Sequence, residues 1–148
     1  MPNASGEVVI NRPLAEVFEY TASAYNGPAF IPNLNENTNV TPEDACLEQT
    51  FDWRFNMAGV DLKGKASGLN YDVNERVTLK LEGDVNATWD YTFSAVDDHT
   101  TRIYSEVIYD VDASKLQRMV NAAIMDKINQ HTLDQMLANL KIILESDD

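Results

Sequence analysis

The chain has 148 residues, of which 44% are hydrophobic, and a formal net charge of -13 at pH 7. A chain of this size buries roughly 70% of its unfolded surface, so we expect residues 1–148 to form a single ordered domain, and the composition excludes a disordered protein. The negative field repels nucleic acid and anionic lipid headgroups, which excludes both as expected surface partners.

Cysteine usage and hydropathy indicate the compartment. The one cysteine, Cys46, excludes an internal disulfide and a cysteine-based metal cluster, and so fits a reducing compartment. Residues 1–10 lack the basic segment and the long apolar run of a signal peptide, and nowhere do 18 consecutive apolar residues occur. We therefore expect a cytoplasmic protein without a membrane span.

The first thirty residues contain one predicted strand and two short predicted helices. The strand covers Glu7–Asn11, and Pro13 ends it, because proline cannot continue a strand ladder but suits the start of a helix. Residues at helical spacing then predict a first helix: Leu14, Val17, Phe18 and Thr21. The turn cluster Tyr25–Pro28 interrupts this helix, and Ala29–Ile31 has room for one more turn.

Hydrophobic and polar residues then alternate in five segments, which is the period of a β-strand. The predicted strands are Cys46–Met57, Val60–Asn70, Arg76–Glu82, Ala87–Ala95 and Thr101–Val111. The short turns between them predict an antiparallel meander with one buried face and one solvated face.

The C-terminal segment Asp112–Glu145 predicts a long helix, because it contains no glycine or proline and is rich in helix-forming residues. Asp112 or Ser114 is the expected cap. The apolar stripe of this helix slips in phase between Ile128 and Leu133, which predicts a bend or a bulge there.

A pocket is expected where the meander meets this helix. The apolar face of the sheet must be covered, and a twisted sheet that curls around a straight helix leaves a gap. Gly64, Ala66 and Gly68 are small inward residues, which either leave volume for a ligand or let the helix pack closely. Four alternating asparagines either line the mouth of the pocket or form a polar loop, and we favour the loop: Asn33, Asn35, Asn37 and Asn39.

The predicted element order resembles the START-like, Bet v 1-like (SRPBCC) superfamily, which includes polyketide cyclase/dehydrase-like proteins. Ile10–Pro13 followed by Glu16–Phe18 is similar to the opening of that family, Phe30–Pro32 to the end of its second helix, and Leu137–Glu145 to its closing helix. The resemblance spans nearly the whole chain but rests on structural motifs. It implies an α+β helix-grip fold, in which a curved antiparallel sheet of six or seven strands wraps around a long C-terminal helix, with two short helices after the first strand.

The resemblance also implies an internal cavity for lipids, hormones, quinones or polyketides. We therefore predict that the chain binds or transports a small hydrophobic molecule. The predicted ligand-binding residues are inward residues of the strands and the last helix: Phe51, Trp53, Phe55, Leu62, Ala66, Leu79, Trp89, Tyr91, Phe93, Ser105, Val107, Tyr109, Val120, Ile124 and Ile128. No cofactor and no metal are predicted, because neither a phosphate-binding loop nor a set of residues at metal-ligand spacing occurs.

Two alternatives remain open. A cofactor-free cyclase, aromatase or dehydratase requires an inward acid or base, and the candidates are Tyr91, Tyr109 and His131. His131 either extends the apolar stripe into the cavity or lies half-buried at the bend, and we favour the second. A protein-interaction module with a closed cavity is the other alternative, for which Tyr104 and Ile108 are apolar on the solvated face of the last strand. The sequence leaves monomer and dimer open.

Overall fold

The computed structural model describes residues 3–41, 49–57, 59–110 and 122–146. The elements in chain order are β1 (Asn3–Ile10), α1 (Leu14–Ala22), a 3₁₀ turn (Ala24–Asn26), α2 (Gly27–Phe30), β2 (Leu34–Thr41), β3 (Thr50–Met57), β4 (Val60–Asp72), β5 (Arg76–Gly83), β6 (Asn86–Asp97), β7 (Thr100–Asp110) and α3 (Ala122–Glu145). The strands form one antiparallel sheet in the order β1-β7-β6-β5-β4-β3-β2. This curved sheet and the long C-terminal helix confirm the predicted helix-grip architecture.

The alternation of apolar and polar residues correctly identified the inner face of the sheet. On β6, Trp89, Tyr91 and Phe93 are buried, whereas Thr88 and Thr92 are exposed. The strand ladders align these inward side chains in rows across neighbouring strands. Side chains from β3 to β7 therefore share one apolar surface.

The segment after α1 differs from the prediction, because the expected turn at Tyr25–Pro28 is helical. Ala24–Asn26 forms the 3₁₀ turn, and α2 starts directly at Gly27. Pro28 fits there because the first turn of a helix has no intrahelical partner for its backbone N–H groups. This compact corner packs against β2 and positions Ile31 near the sheet.

The asparagine-rich run is an edge strand, β2, and the expected loop was wrong. The period of two is broken by register shifts between Leu34 and Glu36 and between Thr38 and Thr41. Asn39 has φ 55°, in the left-handed region that asparagine tolerates better than most residues. These irregularities hide the strand in the sequence and turn Asn37 towards the interior.

Helix α3 runs alongside β1, the strand at the other edge of the sheet. Gln130 pairs with Ser5 through two hydrogen bonds, since its Nε2 donates to the Ser5 carbonyl (2.8 Å) and its Oε1 accepts from the Ser5 N–H (3.2 Å). Farther along, Lys141 Nζ donates to the Val9 carbonyl (2.8 Å). Side chains of α3 thus take up backbone groups that an edge strand leaves unpaired. The predicted start of this helix at Asp112 lies outside the described residues.

The expected bulge in this helix was wrong, because α3 is an uninterrupted α-helix from Ala122 to Glu145. The alternative of a bend stays a prediction. Its buried stripe continues upstream of Leu133 through Thr132 (7% exposed) and Asn129 (2% exposed). Polar residues at two core positions therefore produced the apparent slip in phase.

The core has two parts. The packed half lies between β1, β7 and β6 on one side and α1 and α3 on the other, and six of its described apolar side chains are 0% exposed: Ile10, Val17, Ile103, Val107, Met136 and Leu140. The pocket half covers the inner face of β3, β4 and β5, with buried Phe51, Trp53 and Leu62. Of the described α3 side chains, Ile128 is the one that packs against this second cluster.

Candidate ligand pocket

A cavity of about 70 Å³, the main chamber, lies over the inner face of the pocket half and β6. Its walls are mostly aromatic and aliphatic side chains from α2, the sheet and the turns between strands: Ile31, Leu34, Asn37, Phe51, Trp53, Phe55, Leu62, Leu79, Leu81, Val85, Trp89, Tyr91 and Tyr109. None of these lining residues is charged. A site of this composition favours an uncharged, largely apolar guest.

A second cavity of about 50 Å³, the polar chamber, adjoins the main chamber beneath α1, the 3₁₀ turn and α2. The two chambers share five lining residues: Ile31, Asn37, Phe51, Leu79 and Tyr91. The polar chamber adds the side chains of Thr21, Gln49 and Asn70 to its wall and again contains no charged lining residue. One guest can therefore contact both chambers through their common wall.

The small residues of β4 contribute differently from one another. Gly64 is the register partner of Trp53, and a methyl group at Gly64 would collide with the Trp53 indole and with the Glu82 carbonyl. The indole therefore fills the volume that Gly64 leaves. Gly68, by contrast, lines the polar chamber, and Ala66 is buried in the core of the pocket half. Of the two roles predicted for this stretch, leaving space for a guest applies to Gly68.

Two tyrosines line the main chamber, as the sequence predicted. The Tyr91 hydroxyl donates to Met136 Sδ (3.5 Å) on α3, and its ring stacks with Trp89 at a centroid distance of 6.2 Å. Burial raises the pKa of Tyr91 and of Tyr109 far above the ordinary value for tyrosine. Both hydroxyls therefore stay neutral at physiological pH, and neither is poised to act as a base there.

Most of the predicted ligand-binding residues do line the main chamber: Phe51, Trp53, Phe55, Leu62, Leu79, Trp89, Tyr91 and Tyr109. Others lie elsewhere. Phe93 packs edge-to-face on Phe18 in the packed half (5.0 Å between centroids), and Val107 is fully buried there. Ser105 also faces inward, but its Oγ donates to the Asp90 carbonyl (3.0 Å).

The last helix contributes less to the pocket than predicted. Ile128 packs on the second cluster without lining either chamber, and His131 is exposed on α3. An exposed imidazole outside the pocket wall has no route to a guest inside it, so His131 has no support as a catalytic residue. Val120 and the side chain of Ile124 lie outside the described residues.

Sequence analysis missed the lining residues that come from corners and from the edge strand. Ile31, Leu34 and Val85 are half-buried residues beside short turns, and Asn37 belongs to the irregular strand β2. Thr21 is the last buried residue of α1, and its helical spacing predicts only that it packs against the core. Periodicity identifies the inner face of a regular strand, but it does not show which turns fold back over that face.

Two polar oxygens in the polar chamber lack hydrogen-bond partners among the described residues. Thr21 is 5% exposed, and its Oγ1 is unpaired. Asn37 Nδ2 donates to the Ala24 carbonyl (2.8 Å), whereas Asn37 Oδ1 is buried and unpaired. Unpaired buried oxygens are costly, so this pair of oxygens calls for a partner.

Metal ligation finds no support in the described part of the chain, where no three His, Cys, Asp or Glu residues are grouped closely enough to hold an ion. Within the same residues, no helix is both long and apolar enough to cross a membrane.

Comparison with known proteins shows the fold. No protein-family model and no curated protein matches the chain, but many solved structures do. A protein from Thermus thermophilus is similar at a TM-score of 0.80, with 14% identity and 98% of each chain covered. A START superfamily protein from Mycobacterium smegmatis has a TM-score of 0.74, 11% identity and 97% of each chain covered. The Zhui aromatase/cyclase from a Streptomyces species has a TM-score of 0.78 and 12% identity, with 97% of this chain and 93% of that chain covered. The chain has the START-like helix-grip fold.

Proposed function

We propose that this protein binds a small, uncharged hydrophobic molecule in the main chamber. The observation that carries the proposal is a cavity with mostly aromatic and aliphatic walls, in which none of the described lining residues is charged. Transfer of an apolar guest into such a site is favourable, whereas an unpaired charge there would be strongly disfavoured. The likeness to a START superfamily protein and to an aromatase/cyclase supports the same class of ligand.

The volume of the main chamber limits the size of the ligand. Pockets for drug-sized ligands span roughly 300–1,000 Å³, and a cavity of about 150 Å³ holds one benzene ring. A main chamber of about 70 Å³ therefore favours a ligand body of no more than one ring, with some outward movement of its walls. A long lipid or a multi-ring polyketide requires the half-buried walls at Leu34, Phe55 and Val85 to move outward. A quinone-sized or phenol-sized guest needs the least rearrangement.

Binding or transport is better supported than turnover. An acid or base that works near neutral pH is needed for cyclisation or dehydration, whereas the titratable residues among the described walls of the main chamber are two tyrosines whose pKa burial raises. The likeness to an aromatase/cyclase keeps the enzyme as a second candidate. Turnover of a model poly-β-ketone that is lost on both Tyr91→Phe and Tyr109→Phe would establish it in place of simple binding.

A protein-docking role for the outer face of β7 has little support. Tyr104 and Ile108 are each 39% exposed, but the ladder places Glu7 and Thr92 beside Tyr104 and Thr88 beside Ile108. Polar residues on the adjacent strands thus flank both side chains, so the two do not form part of a wider apolar patch. Isolated exposed apolar residues are normal on a protein surface.

A matched pair of substitutions tests the proposal. Val85→Trp places an indole in the wall of the main chamber, whereas Val96→Trp places one at an exposed position (50%) of β6. Propylbenzene and 4-propylphenol are titrated into each protein, followed by thermal unfolding and protein-detected NMR. We expect both the unmodified protein and Val96→Trp to be stabilised by at least one compound, and Val85→Trp to bind at least about tenfold more weakly.

Either of two results would overturn the proposal. One is that neither compound stabilises the unmodified protein, and the other is that Val85→Trp binds as tightly as Val96→Trp.

A further inference from the structure

We infer that the polar end of the ligand is a neutral hydroxyl group, held in the polar chamber between Thr21 and Asn37 while the apolar body occupies the main chamber. This inference rests on the proposed binding function. It adds the chemical class of the functional group that the site selects, and it excludes carboxylic acids of the same shape.

The orientation of the Asn37 side chain is the first step. Its amide contacts the Ala24 carbonyl at 2.8 Å. A carbonyl only accepts hydrogen bonds, so the atom that faces it must be Nδ2. Oδ1 is then the atom left buried without a hydrogen-bond partner, on a residue that lines the chamber. Gly27 leaves room for this arrangement, since a methyl group there would lie 2.7 Å from Nδ2. Asn37 therefore presents a fixed acceptor, which requires a donor on the ligand.

Thr21 supplies the complementary group. Its hydroxyl is buried and unpaired on the wall of the same chamber. A threonine hydroxyl both donates and accepts, so it can donate to an oxygen whose own proton points at Asn37. A ligand hydroxyl can offer both the donor that Asn37 Oδ1 needs and the acceptor that Thr21 Oγ1 needs. A ketone or ether oxygen would leave Asn37 Oδ1 without a donor.

Charge excludes the ionised alternatives. Among the described residues no Lys, Arg or His lines either chamber, so a carboxylate would meet no counterion from them and would face the Asn37 acceptor oxygen. The net charge of -13 adds long-range repulsion against an anion. An ammonium group would also find no counterion there, because none of the described lining residues is Asp or Glu.

The shared wall sets how the ligand lies. Phe51, Leu79 and Tyr91 border both chambers, and the Tyr91 hydroxyl already donates to Met136. The junction is therefore lined by ring and aliphatic side chains on the side of the sheet and by an amide on the side of Asn37. The indole N–H groups of Trp53 and Trp89 lie farther along the wall of the main chamber, buried and without a hydrogen-bond partner among the described residues. An alkylphenol or another small hydroxylated ring compound matches this division.

Three ligands with one body test the inference at pH 7: propylbenzene, 4-propylphenol and 4-propylbenzoate. We expect 4-propylphenol to bind about tenfold more tightly than either of the others, the effect of one well-formed hydrogen bond to a buried group. Tighter or equal binding of 4-propylbenzoate or propylbenzene would overturn the hydroxyl assignment while leaving the binding function intact. Failure of all three to bind would instead remove the proposed function itself.

A matched pair of isosteric variants tests the role of Thr21. Thr21→Val removes the unpaired hydroxyl, whereas Thr101→Val removes a buried hydroxyl outside the pocket that donates to the Arg12 carbonyl (2.8 Å). The readout is the ratio of the affinities for 4-propylphenol and propylbenzene, which is insensitive to a general loss of stability. We expect Thr21→Val to lower this ratio at least about threefold without lowering the melting temperature, and Thr101→Val to lower the melting temperature without changing the ratio. An unchanged ratio in Thr21→Val would contradict the role of Thr21.

Discussion

The packed half and the pocket half are built on one continuous sheet, yet they differ in what covers them. Over β1, β7 and β6, α3 contributes Leu133, Met136 and Leu140, which are at most 2% exposed. Over β3, β4 and β5, the walls include side chains that are only half-buried, among them Phe55 and Leu79. Stability and binding are thus assigned to different parts of the same sheet, because the one long helix among the described residues runs along β1.

The largest expected effect comes from a matched truncation in the two halves. Leu140→Ala removes a fully buried side chain, and Leu79→Ala removes a half-buried one in the pocket wall. We expect Leu140→Ala to lower the free energy of unfolding by about 2–5 kcal/mol and Leu79→Ala by about 1 kcal/mol, because the pocket is already hollow. Urea unfolding of both variants measures the difference, and equal losses would show that the two halves are packed alike.

A smaller effect is expected where α3 pairs with the edge strand. Gln130→Ala leaves the Ser5 N–H and carbonyl without their side-chain partner, which we expect to cost about 1–2 kcal/mol. Gln135→Ala is the control, because Gln135 is exposed and donates only to Asn139 on the same helix (3.0 Å). We expect that control to change stability by less than about 0.5 kcal/mol. A loss in Gln135→Ala as large as in Gln130→Ala would mean that the edge contacts contribute nothing specific.

The smallest expected effect is a dependence on pH at the end of α3. Glu145 accepts hydrogen bonds from Lys141 Nζ and from the Asn11 N–H, both at 2.7 Å, and these lower the pKa of its carboxyl group. A carboxyl whose pKa is lower in the folded state stabilises the protein above its unfolded-state pKa, and this contribution disappears as the pH falls through the folded-state pKa. Solvent screens the partly exposed pair, so the contribution is below about 1 kcal/mol.

Urea unfolding of the unmodified protein and of Glu145→Gln checks this expectation. The difference in stability should be present at pH 7 and should vanish towards pH 3. A difference that persists unchanged in acid would assign the effect to packing instead.

Much of the sheet followed from the sequence, because residues such as Trp89, Tyr91 and Phe93 alternate with polar neighbours on a strand whose register is regular. The edge strand β2 did not, because its two register shifts break the period that identifies a strand. The lining residues on regular strands were therefore predictable, and those at corners and on the irregular edge strand were not. Leu79 and Trp89 follow from alternation, whereas Leu34, Asn37 and Val85 depend on how corners fold back over the sheet.

Helix α3 was also only partly predictable from the sequence. Its existence followed from composition, but its placement on the packed half depends on contacts such as that between Gln130 and Ser5, which are distant in the sequence. The predicted slip in phase between Ile128 and Leu133 has the same cause. Periodicity assigns polar residues to the surface, whereas Asn129 and Thr132 are buried.

The most direct test of the central claim uses the indole N–H signals of Trp53 and Trp89, both of which line the main chamber. Titration of ¹⁵N-labelled protein with 4-propylphenol should shift both indole signals while the backbone amide signal of Leu140, which is fully buried in the packed half, changes far less. Unchanged indole signals together with shifts at exposed Tyr104 would place the ligand outside the pocket and contradict the account.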